Sequence, residues 1–222
     1  MAGATTLVID SATEACSVAL LRGAELLAGD WQLLGRGHAE RLVPMIAALP
    51  DKGRADRVAV ALGPGSFTGV RVGLAAARAL ALAWNVPLVG YPTLALIAAQ
   101  AIADHGHQPV RVAITGGHGE WFVQDFAADG APAGPLASLA PAEAAQGGPA
   151  LVAGTQAEAL VARRGTGAPI LLQPDARRFA LLDPARLSTD PAPLYGRAPD
   201  ARLPGGALPG TALPGTALPA TA

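Results

Sequence analysis

Apolar positions in Thr5 to Asp10 run in the order TTLVID and predict a buried strand, and Cys16 to Leu21 alternates behind the turn-like Ser11-Ala12-Thr13-Glu14, so the two predict a hairpin. Arg22-Gly23 supplies the next turn, and Ala24 to Leu34 predicts a third strand that Gly35-Arg36-Gly37 breaks. Leu42, Met45, Ile46 and Leu49 then recur at helical spacing, which predicts a helix from His38 whose early turns Pro44 bends or frays. Val58 to Leu62 reads as a short buried strand. It runs straight into Gly63-Pro64-Gly65-Ser66-Phe67-Thr68-Gly69 and a long helix ending near Trp84, with Ser66 or Thr68 as N-cap and Asn85 and Pro87 as stops. Pro87 to Gly90 predicts one more strand and Thr93 to Ala103 one more helix.

The order β-β-β-α-β-α-β-α predicts an α/β fold in which an antiparallel meander joins a parallel extension covered by helices, the plan of a ribonuclease-H-like half. Residues 1–104 are expected to form that lobe and 105–202 a reduced second lobe. In the second lobe only Val110 to Ile114, Trp121 to Phe126 and Leu151 to Ala153 carry strand patterns, and Ala127 to Pro149, rich in Ala, Pro and Gly, is expected to be loop. From Leu203 the pattern Leu-Pro-Gly-x-Ala recurs without charge or aromatics, so 203–222 is expected to be a disordered tail.

Composition narrows the function. Hydrophobic residues make up 51% of the 222, but aromatics only 4%, so the core is expected to be Leu, Val, Ile and Ala packed tightly on a sheet. A net charge of -1 offers no electrostatic grip on a polyanion, so any nucleic-acid role is expected to run through a partner. The single cysteine, Cys16, excludes an intramolecular disulfide and a cysteine zinc cluster. The N-terminus lacks a basic leader, and Arg78, Asn85, Pro87 and Pro92 interrupt the most apolar stretch, Val72 to Ala103. A soluble, cytoplasmic protein without membrane contact is the expectation.

Several residues invite chemistry. The glycine loop before a helix could expose N–H groups to a phosphate, or could simply permit a tight strand-to-helix turn; it lacks the Lys of a Walker loop. Gly69, Gly73, Ala77 and Ala81 repeat every four residues and form a stripe that another helix could approach closely, from this chain or from a partner. Asp10, at the end of the first strand, stands where actin-like ATPases and sugar kinases keep a magnesium-positioning carboxylate, though a turn residue accepting backbone N–H bonds fits as well. His38 with Glu40 hints at a metallopeptidase, but no second His stands at the required spacing, so no metal site is expected. Ser11, Ser17 and Ser66 have no His and Asp arrangement around them.

Three stretches together resemble the TsaB family, members of the actin-like ATPase (ASKHA) superfamily once grouped with glycopeptidases: LVIDSATEACSVAL at 7–20, RGHAERLVPMI at 36–46 and ALGPGSFTGVRVGLAAARALA at 61–81. Weaker echoes are PLVGYPTLALIA, VAGT at 152–155 and PLYGRAPDARLP at 193–204. The resemblance implies a non-catalytic subunit of tRNA threonylcarbamoyladenosine synthesis, without a cofactor of its own, that pairs with the homologous catalytic TsaD and with the ATPase TsaE and meets tRNA only through the complex. It places the partner interface on the first two helices, at His38, Arg41, Leu42, Met45, Gly69, Arg71, Gly73, Ala77 and Ala81, with Gly63 to Thr68 as the family's loop. The same surface would serve a homodimer when the partner is absent. On this reading Gly73→Leu blocks pairing and leaves the fold intact. Where the family usually has Asp-Ala-Arg before the Gly-Glu of the second-lobe hairpin, this chain has Thr115-Gly116-Gly117-His118. The rival readings are a free-standing ATPase or sugar kinase and, more remotely, the metallopeptidase.

Overall fold

A computed structural model describes residues 3–196; the low-complexity stretch at 203–222 and the end of the 193–204 segment lie outside the described residues. The first half folds as its pattern predicts. Strands β1 (Thr5–Asp10), β2 (Ala15–Arg22) and β3 (Glu25–Leu33) form an antiparallel meander, and β4 (Arg57–Ala61) and β5 (Leu88–Tyr91) extend it in parallel, giving the order β3-β2-β1-β4-β5. Helix α1 (His38–Ala47) follows β3, α2 (Phe67–Trp84) follows β4, and α3 (Thr93–His105) follows β5. Ser66 is the N-cap of α2, its hydroxyl accepting from the Gly69 N–H at 3.2 Å, and Asn85 ends the helix in the left-handed region. Pro44 sits inside α1 without ending it.

The second half is fuller than its sequence pattern suggests. Strands β6 (Val110–Thr115), β7 (Trp121–Phe126), β8 (Ala137–Leu139), β9 (Leu151–Ala153) and β10 (Ala168–Ile170) form a second sheet in the order β10-β9-β6-β7-β8. Read from its other edge, this is again a three-strand antiparallel meander with a two-strand parallel extension, so the second sheet repeats the plan of the first. The stretch expected to be loop contains β8 and the one-turn helix α4 (Pro141–Ala144), and α5 (Ala157–Arg164) and β10 carried no signal strong enough to predict. Three of these strands have only three residues, too few for a period of two to show. The whole is an α/β, ribonuclease-H-like fold.

Helix α3 lies between the sheets. Leu94, Leu96, Ile97, Ala98 and Ala101 are fully buried, in one core with Val8 and Ala59 of the first sheet and Val110, Val112 and Phe126 of the second. That two-sided burial explains why the helix is apolar all round. After β10 the chain does not stay with the second lobe. It returns over the first: the Ala176 N–H donates to Ser17 Oγ at 2.9 Å, Ser188 bridges Gly90, and the Leu194 N–H donates to the Leu62 carbonyl at 2.8 Å. Helix α2 is long and apolar enough to suit a bilayer, with mean hydropathy 1.2 over 18 residues, a possibility that the interrupted stretch in the sequence seemed to exclude. Here it packs on β4 and β1 instead.

Candidate functional site

The glycine loop settles against the β1–β2 turn. A β-carbon on Gly65 would run into the Ala12 carbonyl, one on Gly69 into the Ser11 carbonyl, and one on Gly73 into Ser11 Oγ. These glycines let the start of α2 lie directly on the end of β1. Two hydrogen bonds cross that contact, the Ser66 N–H donating to Ala12 O at 2.7 Å and the Ser11 hydroxyl to Gly69 O at 2.8 Å, while the Val70 N–H begins the helical ladder on Ser66 O at 2.9 Å. The loop is thus a close-packing device within the chain, the plainer of its two readings. Gly63, Pro64 and Gly65 carry the turn, Gly63 with φ 90°, and Ser66, Phe67 and Thr68 begin the helix on its exposed side.

Asp10 is fully buried and does not face the space between the lobes. Oδ1 accepts from the Ala12 N–H at 3.0 Å, as expected of a turn aspartate, and Oδ2 lies 3.1 Å from the Tyr91 hydroxyl, which also lies 3.2 Å from the Ile9 carbonyl. Burial pushes the Asp10 carboxyl from 3.8 up to about 7, although the bonds from Ala12 and Tyr91 pull it part of the way back. Tyr91, which no sequence signal singled out, closes this carboxyl off.

The small-residue stripe points inward. Gly69, Gly73, Ala77 and Ala81 are buried, and the β-carbon position of Gly73 faces Ser11, Ile9 and Val60 of the chain's own sheet. Leu42 and Met45 are buried in the same core, and so is His38, whose Nε2 lies 3.3 Å from the Ala15 carbonyl oxygen. Of the residues expected at a partner interface, only Arg41 and Arg71 are exposed. The stripe therefore serves internal packing, and Gly73→Leu would break the fold rather than isolate an interface. What α1 and α2 do present outward is a second apolar side. On α2, Ala75, Ala79, Leu82 and Ala83 are exposed, Leu82 at 84%, with Val72 and Ala76 half-buried at their edge against the core, and on α1 Val43 is 61% exposed beside exposed Ala39 and Ala47. Because α2 is apolar on nearly every side, its periodicity could not say which stripe faced in.

The remaining candidates are structural. Cys16 is buried, and burial raises its thiol to about 12, far from a reactive thiolate. Ser17 accepts from Ala176 and stands near no histidine bond. Glu40 is exposed on α1 while His38 turns inward, and among the described residues no group of three His, Cys, Asp or Glu could hold a metal. The Thr115–Glu120 segment makes the β6–β7 turn, closed by Gly116 N–H to Glu120 O at 2.9 Å and Glu120 N–H to Gly117 O at 3.1 Å. It forms one wall of a cleft of about 760 Å³ where the ends of β1, β4 and β6 meet.

Comparison with known proteins agrees with this architecture. The model of the TsaD family, described as tRNA N6-adenosine threonylcarbamoyltransferase, matches residues 32–146, just over half the chain. The tRNA threonylcarbamoyladenosine biosynthesis protein TsaB of Escherichia coli K12 is 38% identical over 128 residues, 55% of each chain. Its namesake in Haemophilus influenzae is 40% identical over 120 residues, 51% of this chain and 50% of that one. The chain thus spans about half the length of the curated relatives it matches. Among solved structures, one from Pseudomonas aeruginosa described as similar to peptidase YEAZ superposes with TM-score 0.74 at 30% identity, covering 87% of this chain and 100% of that one. YeaZ from the same organism gives 0.72 at 29%, covering 86% and 99%. The chain belongs to the TsaB/YeaZ branch of the TsaD family.

Proposed function

We propose that this protein is a non-catalytic partner subunit in threonylcarbamoyl transfer to tRNA adenosine, docking through the outward sides of α1 and α2 onto a TsaD-like subunit that carries the chemistry, with a TsaE-like ATPase joining them in the cytoplasm. The observation that carries this reading is the uncovered apolar side of α2, where Leu82 is 84% exposed beside exposed Ala75, Ala79 and Ala83. The names of the curated relatives supply the pathway. The net charge of -1 fits a subunit that meets tRNA through its partners rather than by itself.

A free-standing ATPase is disfavoured by two features of this chain. The carboxylate that would position magnesium is sealed behind Tyr91, and the loop that would cradle phosphate holds the β1–β2 turn instead. The test is the amount of threonylcarbamoyladenosine formed on tRNA by TsaD-like and TsaE-like subunits of the same organism with threonylcarbamoyl-AMP, with and without this chain. Dependence on the chain is the expected result; equal product without it would refute the reading. Leu82→Glu is expected to weaken pairing with the TsaD-like subunit at least ten-fold, because it leaves a charge facing an apolar partner, while the melting temperature of the free chain stays unchanged. Undiminished pairing by that variant would move the interface elsewhere.

A further inference from the structure

The cleft between the lobes is open and well shaped, although the glycine loop on its wall lacks the Lys of a Walker loop. At about 760 Å³ it lies within the size range of small-molecule sites, at the carboxyl ends of β1, β4 and β6, where α/β folds bind ligands. Its walls are mainly apolar, with Val70 from the first lobe, Ile114 and Phe122 from the second, and Leu194 from the returning C-terminal segment. At its mouth stand two aromatic rings, Phe67 and Tyr195, with centroids 6.3 Å apart and planes tilted by 35°. The Arg71 guanidinium lies 3.5 Å over the Phe67 ring, and its one hydrogen bond among the described residues goes to the Tyr195 hydroxyl at 3.3 Å. That arrangement holds the cation at the edge of the apolar space with N–H donors still to fill. Glu14, the one acidic residue on the wall, accepts from the Gln173 amide at 3.3 Å.

We propose that this cleft is a binding site for a planar aromatic ligand carrying a single anionic group, its ring between the apolar walls and the Phe67–Tyr195 mouth and its anion on Arg71. A magnesium triphosphate fits the site less well, since the loop lacks the Lys of a Walker loop and its Ser66 and Gly69 N–H groups are already bonded, to the Ala12 carbonyl and the Ser66 hydroxyl. The site lies at the first turns of α2, whereas the partner interface proposed above centres on Leu82, eleven residues further along the helix.

A pair of probes differing in charge separates the parts of the proposal. Anilinonaphthalene sulfonate is a planar aromatic anion whose fluorescence rises on binding, and phenylnaphthylamine is its uncharged counterpart. The full chain is expected to bind one equivalent of the sulfonate roughly ten-fold more tightly than the amine, the advantage of one charge-assisted contact. Arg71→Met should remove that advantage and leave the amine unaffected. Gly117→Trp, at a position on the cleft wall with open space around it, should weaken both probes at least ten-fold without lowering the melting temperature. The proposal is overturned if neither probe binds at millimolar concentration. It is equally overturned if Gly117→Trp binds both normally while Leu82→Glu does not, which would place the probes on the outer side of α2, or if Arg71→Met keeps the preference for the anion.

Discussion

Gly65→Ala is expected to lower the midpoint of thermal unfolding by roughly 10 °C. The added methyl would occupy the space of the Ala12 carbonyl oxygen, and that oxygen cannot move aside freely, because it accepts the Ser66 N–H at 2.7 Å. Overpacking typically costs about 1 to 3 kcal/mol, and loss of a buried hydrogen bond adds about 1 kcal/mol. For a chain of this length each kcal/mol moves the midpoint by about 2 to 4 °C. Gly117→Ala is the control: nothing lies within 4 Å of its β-carbon position, and no change is expected. Calorimetry on the two variants checks the assignment of the loop. If Gly65→Ala melts with the parent protein, the loop is not the close contact described here, and its N–H groups return to consideration as an anion cradle.

The second large effect concerns pH. The folded protein holds the Asp10 proton up to about pH 7, whereas the unfolded chain releases it near 3.8. Between those values the folded state binds the extra proton, so stability on this account falls as pH rises from about 4 to about 7 and is level beyond. Asparagine mimics the protonated side chain: its oxygen can accept from Ala12, and its amide can donate to the Tyr91 hydroxyl, which then donates to the Ile9 carbonyl. Asp10→Asn is therefore expected to stabilise the protein by roughly 2 to 4 kcal/mol at pH 8 and by about 1 kcal/mol or less at pH 4.5. Urea unfolding at the two pH values decides it. A gain of the same size at both would mean that ionisation of Asp10 is not what the substitution relieves, and a loss at pH 8 would mean that the carboxylate has a charged partner worth more than its burial costs. The latter outcome would reopen the question of a cation at this position.

The two predictions share a physical origin. In a nucleotide-binding relative of this fold, a carboxylate and a glycine loop at the end of the first strand would be kept open to solvent. Here the same residue types are folded into each other. Ser11, Ala12, Gly65, Gly69 and Gly73 form one contact, and Tyr91 covers what that contact leaves. Sequence patterns that read alike can thus mark a binding loop or a packing joint, because both need backbone that side chains do not obstruct. The difference lies in what the freed space receives.

The first lobe was legible because its strands are four to nine residues long and its helices ten to eighteen, long enough for periods of 2 and 3.6 to declare themselves. The family resemblance rested on three stretches together, of which the run GPGSFTGVRVG is the most specific. The sequence by itself also set the breaks at Gly35 to Gly37 and Asn85 and narrowed the N-cap to Ser66 or Thr68 and Asp10 to a turn or a magnesium role, of which the structure shows Ser66 and the turn. Tertiary structure decided the rest. It turned the Gly69, Gly73, Ala77 stripe inward and the Ala75, Ala79, Leu82 side outward on a helix whose composition permits either. It assembled β8 and β10, three-residue strands that form by pairing with the edges of β7 and β9. And it brought Tyr91 to Asp10 across 81 residues, and Tyr195 to Arg71 across 124, contacts that local patterning cannot encode because they form only when the chain returns upon itself.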